Sequence, residues 1–197
     1  MRVIGGIYGG RRLRTLRGLA LRPTSDRLRE TLFDILGATV AGSVFVDLYA
    51  GSGAVGIEAL SRGARQVVFI EKHRPAVAVI QGNLQRLGFA ASTQWTTNEP
   101  TARALLLATD VPRGLARLAE RGFRADFVFA DPPYADAQAY TQVLESLDRS
   151  SLLNTAAHVI LEHSRRQPLP ERTRRLTRVR EVRQGDTVLS FYRVVST

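Results

Sequence analysis

Three glycines follow an apolar segment in the first third of the chain, and they restrict the possible fold more than any other feature. Val44-Phe45-Val46 is predicted to be a buried strand and Ala54–Ser61 a helix. Gly51 and Gly53 lie between the two elements and Gly56 lies in the first turn of the helix, at G-x-G-x-x-G spacing. Glycines at these positions let the backbone turn tightly and approach a ligand closely. A strand, a glycine turn and a helix in this order predict an α/β fold with a ligand site at the carboxyl end of the strand.

Strand and helix patterns continue to alternate after this unit. We predict a strand at Val67–Ile70 and then a helix that begins at Pro75 and ends before Gly88. The remaining predictions are a weak strand near 92–97, one or two helices within 101–122, strands at 127–130 and 159–161, and an antiparallel hairpin over 176–195. This alternation indicates a Rossmann-like parallel sheet with helices on both faces, closed by an antiparallel pair.

The first 37 residues have a different pattern. Apolar and polar residues alternate loosely over residues 2–16, interrupted by Gly5-Gly6 and Gly9-Gly10. This pattern favours a short two-stranded hairpin. A helix capped by Thr24 or Ser25 follows, with one apolar stripe, and Gly37 ends it. We therefore divide the chain into an N-terminal hairpin and helix, residues 1–37, and an α/β domain, residues 38–197.

Positive charge is concentrated at the two ends of the chain. The 197 residues carry 28 basic and 18 acidic side chains, a net charge of +10, and 27 of the 28 basic residues are arginine. Residues 1–30 have a net charge of +6 and residues 162–197 of +5, whereas the middle has −1. Arginine makes forked contacts with phosphate, so these ends favour a nucleic-acid partner. The N-terminal arginines Arg11, Arg12, Arg14 and Arg17 are better candidates for binding such a partner than the arginines near the C-terminus.

Several function classes are excluded or disfavoured by what the sequence lacks. It has no cysteine, which excludes disulfides, thiolate-bound metals and a cysteine nucleophile. Its three histidines are too few and too scattered to predict a metal site. No apolar run approaches the roughly 18 residues of a membrane span, and the first residues do not resemble a secretory signal. We expect a soluble cytoplasmic protein, without a metal and monomeric by default.

Two acidic residues indicate which cofactor the glycine turn binds. Asp47 ends the first strand four residues before Gly51, and Glu71 ends the next strand 20 residues after that glycine. A carboxylate at the position of Glu71 can accept hydrogen bonds from ribose hydroxyls. The Asp47 carboxylate would repel a pyrophosphate but can hold a cationic amino-acid group. We therefore favour S-adenosylmethionine, which has an α-amino group and no phosphate, over NAD.

A proline-rich corner follows the strand at 127–130. Asp131-Pro132-Pro133-Tyr134 lies at the carboxyl edge of the predicted sheet, where ligands bind in open α/β folds. The Asp131 carboxylate and the Pro132 carbonyl can hold the two protons of an exocyclic base amine, and Tyr134 can stack on an extruded base. The corner therefore predicts methylation of a base amine. Most of the rate acceleration would come from positioning the amine in line with the methyl group.

These motifs together resemble the bacterial 16S ribosomal RNA guanine-N2 methyltransferases, the small-subunit methyltransferase D type. The resemblance covers nearly the whole chain and is carried by Arg2–Gly6, Gly10–Leu13, Arg22–Phe33, Asp47–Ala54, Gly56–Gly63, Asp131–Tyr134 and Gly185–Thr187. It implies the seven-stranded class I methyltransferase fold, S-adenosylmethionine as the cofactor, and N2-methylation of one guanine of 16S rRNA. The substrate would be an assembling or assembled 30S particle, with the base flipped into the Asp-Pro-Pro-Tyr pocket.

The resemblance also implies residue roles. Asp131, Pro132 and Tyr134 would be catalytic, holding the guanine amine. The cofactor would contact the residues of the glycine turn and two residues beyond it: Asp47, Tyr49, Gly51, Ser52, Gly53, Glu71 and Asn98. The RNA would contact five arginines: Arg11, Arg12, Arg14, Arg22 and Arg27.

Three alternatives compete with this interpretation. A DNA amino-methyltransferase acting on adenine N6 or cytosine N4 has both motifs, but the 60 residues between Glu71 and Asp131 leave little room for a target-recognition module. An NAD oxidoreductase is disfavoured by Asp47 and by the lack of a His, Lys or Tyr proton relay. A non-catalytic RNA-binding module would be expected to have lost the corner, yet Asp131 and Tyr134 are present.

Overall fold

The computed structural model describes residues 1–16, 25–92, 103–133 and 136–195. The helices are α1 (Asp26–Leu36), α2 (Ala54–Ser61), α3 (Arg74–Arg86), α4 (Val111–Glu120) and α5 (Ala137–Arg149). The strands are β1 (Val44–Leu48), β2 (Gln66–Ile70), β3 (Ala91–Ser92), β4 (Ala104–Leu107), β5 (Ala125–Ala130), β6 (Leu153–Ser164), β7 (Leu176–Gln184) and β8 (Thr187–Val194).

One sheet contains all of these strands, in the order β3-β4-β2-β1-β5-β6-β8-β7. Strands β1 to β6 pair in parallel, and β8 pairs antiparallel with both β6 and β7. The predicted seven-stranded α/β sheet with a terminal antiparallel pair is confirmed, and β3 is an eighth strand at one edge. The described part of β3 adds two residues at one edge. Because β1, β2, β5 and β6 are neighbouring parallel strands, their carboxyl ends lie along one edge of the sheet.

Helices cover both faces of the sheet, and alternate strand residues supply the two cores. On one face Phe45, Phe69 and Phe129 pack with α1, α2 and α3. On the other face Val46 and Val128 pack with α4 and α5. Residues two apart on a strand share a face, so every side chain at the carboxyl edge can be assigned to one face or the other. Within the described residues no helix is long and apolar enough to cross a membrane.

The N-terminal segment forms the predicted helix, but within the described residues the expected two-stranded hairpin is reduced to one β-bridge around a 3-10 turn (Gly6–Tyr8). Arg2 and Arg12 form an antiparallel bridge, and the Gly10 N–H donates to the Val3 carbonyl at 2.9 Å. The Ser25 hydroxyl accepts from the Leu28 N–H at 3.1 Å, which caps α1 as predicted. Thr24, the other candidate cap, lies outside the described residues. The division of the chain after residue 37 stays a prediction.

Two elements differ from the sequence-based prediction. Residues 101–122 were predicted to be helical only, but the structure has the buried strand β4 before α4. Ala104-Leu105-Leu106-Leu107 lacks β-branched residues, so its local propensity favours helix, and pairing with β2 decides the outcome. Helix α5, between the proline corner and β6, was not predicted at all. The strand predicted at 159–161 is the centre of the much longer β6.

Candidate active site at the carboxyl edge of the sheet

The glycine turn after β1 leaves room for a ligand beside its backbone. Tyr49, Gly51 and Gly53 all have positive φ angles, of 57°, 55° and 76°. A Cβ on Gly51 would meet nothing closer than the Tyr49 carbonyl oxygen, at 3.9 Å. The space above Gly51 is therefore open, and a cofactor can approach the backbone there. Tyr49 is the non-glycine residue with positive φ in the described chain, a conformation that often marks functional sites.

The other two glycines of the motif serve packing. A Cβ on Gly56 would lie 2.3 Å from the Phe69 ring, and one on Gly53 would lie 3.2 Å from Ile80 Cγ1. Their lack of side chains lets α2 lie close to β2 and α3. The same sequence motif thus combines one glycine that faces open space with two that the core requires.

Glu71 connects the glycine turn to the start of α3. Its Oε2 accepts from the Gly51 N–H at 2.9 Å, and its Oε1 accepts from the His73 N–H at 2.7 Å. Each carboxylate oxygen retains a lone pair for a further donor. The partly exposed Glu71 carboxylate is therefore held beside the turn, where a ribose hydroxyl could donate to it.

Asp47 is more enclosed than the sequence suggested. Its side chain is buried, and its Oδ2 accepts from the Gly56 N–H at 2.8 Å, so it ties α2 to β1. Burial is the main cause that raises the pKa of Asp47 to about 8; the Gly56 hydrogen bond opposes this and the nearby Glu71 charge adds to it. A neighbouring cation, such as an ammonium group, would favour the charged form of this carboxyl group.

Tyr49 lies between the glycine turn and the acidic residues that follow β4 and the proline corner. Burial raises the pKa of the Tyr49 hydroxyl to about 12, with smaller contributions from the charges of Asp136 and Asp110. The hydroxyl therefore stays protonated at neutral pH and can act as a hydrogen-bond donor. Ser52, also in the turn, is partly exposed, and its hydroxyl donates to the Met1 sulfur at 3.5 Å.

The proline corner begins directly after β5, two strands from Glu71. Burial raises the pKa of Asp131 well above its ordinary value, and the charges of Glu162 and Asp47 raise it further. Phe127 and Phe129 belong to the α1–α3 face, so Asp131, two residues on, shares that face with Asp47. The structure therefore brings together the two acidic groups that the sequence assigned to cofactor and substrate.

The Pro132 carbonyl, expected to accept a proton of the base amine, also has a hydrogen-bond partner within the protein. The Tyr140 hydroxyl of α5 donates to it at 3.4 Å. A carbonyl oxygen has two lone pairs, so one acceptor site remains. Tyr134 and Asn98, the residues expected to stack on the base and to contact the adenine, lie outside the described residues.

Four of the five predicted substrate-binding arginines lie on the α1–α3 side of the sheet, and Arg17 lies outside the described residues. Arg11, Arg12 and Arg14 are exposed on the N-terminal segment, and Arg27 is exposed on the first turn of α1. Arg22 lies outside the described residues. The N-terminal segment is fixed to α2, because the Ile4 and Gly5 N–H groups donate to the buried Glu58 carboxylate at 2.7 and 2.8 Å.

Sequence reasoning missed Asn83, which joins this N-terminal segment to the glycine turn. Its side-chain amide donates to the carbonyls of Arg14 and Ser52, both at 3.0 Å, and its oxygen accepts from the Arg14 N–H at 2.8 Å. Asn83 is buried on α3 among apolar positions. A polar residue on the apolar face of a helix was the available signal.

Sequence reasoning also missed Glu162 on β6, which is 3% exposed. Leu161 pairs with Ala130, so Glu162 and Asp131 follow the same register position on neighbouring strands. Ile160 belongs to the α1–α3 face, which places Glu162 on that face as well. The signal was an acidic residue directly after the buried run 159–161, the same pattern that singled out Asp131.

The chain is similar to several known proteins over most of its length. A family model described as "Conserved hypothetical protein 95" matches residues 1–193. The "Putative rRNA methyltransferase YlbH" of Bacillus subtilis is 34% identical over 98% of both chains. The "Ribosomal RNA small subunit methyltransferase D" of Haemophilus influenzae is 32% identical over 86% of this chain and 81% of that protein. The chain belongs to the small-subunit rRNA methyltransferase D family.

A solved structure is similar over the full length of the chain. The "Putative methyltransferase yhhF from Escherichia coli" superposes with a TM-score of 0.83 at 29% identity, covering 100% of this chain and 99% of the other. The methyltransferase D family assignment and the class I methyltransferase fold were both predicted from the sequence, and both are confirmed. The roles of the individual site residues stay predictions.

Proposed function

We propose that this protein transfers a methyl group from S-adenosylmethionine to the N2 amine of a guanine in 16S rRNA of the small ribosomal subunit. Methyl transfer to ribosomal RNA follows from the family, whose members include relatives named as rRNA methyltransferases. The observation that supports the finer assignment is the position of Asp131 on the same edge and face of the sheet as Asp47. The Asp47 carboxyl group belongs to the glycine turn, and the Asp131 carboxyl group belongs to the proline corner.

The residues of the glycine turn fit S-adenosylmethionine. The open space at Gly51 admits the cofactor, Glu71 offers lone pairs to its ribose hydroxyls, and the Asp47 carboxyl group favours a cationic neighbour. When bound, this cofactor supplies an electrophilic methyl group on a sulfonium and accepts the electron pair of the broken carbon–sulfur bond. Tyr49 and Ser52 complete the wall of the turn on either side of Gly51.

Asp131 and Pro132 would prepare the base amine for attack. An exocyclic amine is a poor nucleophile because its lone pair is delocalised into the ring. Hydrogen bonds from its two protons to the Asp131 carboxylate and the Pro132 carbonyl would favour a pyramidal nitrogen with an available lone pair. As the new nitrogen–carbon bond forms, the nitrogen becomes acidic and passes one proton to Asp131, whose raised pKa suits it to accept.

A duplex base cannot reach this corner, so the target would be extruded from its stack or taken from a single-stranded region. Tyr134 would stack on it. The exposed arginines at positions 11, 12, 14 and 27, with Arg22, would hold the phosphates on either side. We propose that the particle, rather than the naked RNA, is the substrate.

The test is transfer of a labelled methyl group from S-adenosylmethionine to four substrates: unmethylated small subunits, their naked rRNA, duplex DNA and single-stranded DNA. The modified nucleoside is then identified by mass spectrometry. N2-methylguanosine from the particle supports the proposal. N6-methyladenine or N4-methylcytosine in DNA would replace it with the DNA amino-methyltransferase alternative. Asp34→Asn is a matched control for Asp131→Asn, because Asp34 is an exposed carboxylate of α1.

A further inference from the structure

A cavity of about 260 Å³ lies between the start of α1 and the turn that joins β7 to β8. Its walls include Ser25 and Arg27 of α1, Glu162 of β6, and Thr187 of β8. Drug-sized ligands occupy pockets of about 300–1,000 Å³. A cavity slightly below that range matches a single nucleobase better than the whole cofactor.

Glu162 lies both on the wall of this cavity and close to Asp131 of the proline corner. It is buried, it lines the cavity, and its charge is the second largest cause of the raised pKa of Asp131. Register and face agree with this closeness, since Ala130 pairs with Leu161 and both acidic residues lie on the α1–α3 face. A base bound with its amine at Asp131 and its N1 side toward β6 would present N1 to Glu162.

The chemistry of that edge distinguishes the bases. Guanine has the N1–H donor directly beside its N2 amine, so two adjacent acceptors match it. Adenine has an acceptor at N1 beside its amine, and cytosine has one at N3, so a carboxylate would face a lone pair in either case.

We propose that Glu162 accepts the N1–H of the target guanine and thereby selects guanine over adenine and cytosine. This inference rests on the proposed function and adds to it a residue that determines base specificity. The N–H donors of the correct base would also favour the charged form of Asp131.

The experiment compares guanine with 2,6-diaminopurine, which keeps the 2-amine but has a bare acceptor at N1 and an amine at C6. The modified position is first located in small subunits methylated by the wild-type protein. Small subunits are then reconstituted with either base at that position. The ratio of kcat/KM for the two substrates is measured for wild type, Glu162→Gln and Glu145→Gln. Glu145 is an exposed carboxylate of α5, so it provides the same chemical change away from the cavity.

Wild type should prefer guanine by about 100-fold or more, because a site built for a donor rejects an analogue that lacks it. Glu162→Gln can donate its amide N–H to N1 of diaminopurine, so the preference should fall at least about tenfold. Glu145→Gln should keep the wild-type ratio. The cofactor affinity of Glu162→Gln, measured by calorimetry, should equal that of wild type and would show that the variant is folded.

An unchanged ratio in Glu162→Gln, with guanine N2 still methylated by wild type, would overturn the role of Glu162 and leave the proposed function standing. Methylation of a base other than guanine by wild type would overturn both together. These two results are distinguished by the identity of the modified nucleoside.

Discussion

The two halves of the carboxyl edge differ in how their acidic groups are held. At the glycine turn, Glu71 accepts two backbone N–H groups and Asp47 accepts one. At the proline corner, Asp131 lies beside Glu162, and each cause that shifts its pKa raises it. The turn is thus fixed by its own backbone, whereas the corner concentrates like charge in a buried position.

This difference separates two tasks. A cofactor used in every cycle benefits from a rigid turn whose hydrogen bonds exist before binding. A corner with adjacent carboxyl groups is stabilised when a guest with several N–H donors arrives, so binding energy depends on the guest's chemistry. We therefore expect variants of the turn to alter cofactor binding and stability, and variants of the corner to alter turnover and base choice.

The largest effect should follow from Asp131→Asn at the corner. The side chain keeps its size but can no longer accept the proton of the amine. We expect kcat to fall by roughly 10²–10⁴-fold, the usual contribution of a general base, with the Kd for S-adenosylmethionine nearly unchanged. Single-turnover methyl transfer and calorimetry measure the two quantities. If cofactor affinity fell by the same factor as kcat, Asp131 would be a cofactor-binding residue rather than the general base.

Asp47→Asn should alter stability in a pH-dependent way. The pKa of Asp47 is about 8 in the folded protein and 3.8 ordinarily, so folding favours its protonated form. The stability that this group contributes is complete below about pH 4 and is lost as the pH rises to 8. At about 1.4 kcal/mol per pKa unit, Asp47→Asn should stabilise the cofactor-free protein at pH 8 by a few kcal/mol.

Urea unfolding of wild type, Asp47→Asn and Asp34→Asn at pH 5 and pH 8 tests this. The difference in unfolding free energy between the two pH values should shrink in Asp47→Asn only. The same variant should weaken cofactor binding, because its uncharged amide does not attract the ammonium group. An equal pH dependence in all three proteins would contradict the assignment.

Gly56→Ala and Gly51→Ala should separate packing from ligand approach within the turn. The Cβ added at Gly56 would clash with Phe69, which should cost about 1–3 kcal/mol of stability or more. The Cβ added at Gly51 meets open space and costs only the strain of its positive φ, about 1–2 kcal/mol. Thermal unfolding should rank Gly56→Ala as the less stable variant. Per unit of lost stability, cofactor affinity should fall more in Gly51→Ala, and the reverse order would refute this division.

Asn83→Ala removes the link between the N-terminal segment and the turn. It leaves the Ser52 carbonyl and both backbone groups of Arg14 without their side-chain partner, so we expect a loss of about 1–3 kcal/mol. The Kd for S-adenosylmethionine should rise several-fold. Asn154→Ala is a matched control, since Asn154 bonds Asp126 on β5, away from the glycine turn. Equal effects of both variants on cofactor affinity would show that Asn83 has no specific role.

The smallest effect per residue should come from the exposed arginines. Replacing Arg11, Arg12, Arg14 and Arg27 by alanine should lower affinity for small subunits and reduce the slope of log K against log salt. Each lost phosphate contact should contribute roughly 0.7–0.9 to that slope. The control replaces four exposed arginines on or directly after the helices of the opposite face: Arg113, Arg117, Arg121 and Arg149. If the control changed the slope as much, the RNA would lie elsewhere or bind through net charge alone.

Local patterns were enough to predict the cofactor half of the site. Gly51, Asp47 and Glu71 lie within 25 residues of one another, and the strand–turn–helix order fixes their relative positions. The terminal hairpin was likewise visible from alternation around Gly185. In both cases the residues that decide the structure are close in sequence.

The acceptor half depends on strand order, which no local pattern gives. Glu162 becomes important only because β6 lies next to β5, and Asn83 only because the N-terminal segment folds back onto α3. Strand β4 was missed for a related reason, because its leucines favour a helix until β2 pairs with them. The features that the sequence did not predict, Glu162, Asn83 and β4, all depend on contacts between segments that are distant in the chain.

We propose that the glycine turn and the proline corner form one site. A crystal structure with S-adenosylhomocysteine tests it most directly. We predict that the ribose hydroxyls contact Glu71, that the ammonium group lies nearest Asp47, and that the sulfur faces Asp131. A cofactor bound with its sulfur away from Asp131, on the α4–α5 face or outside the glycine turn, would contradict the claim.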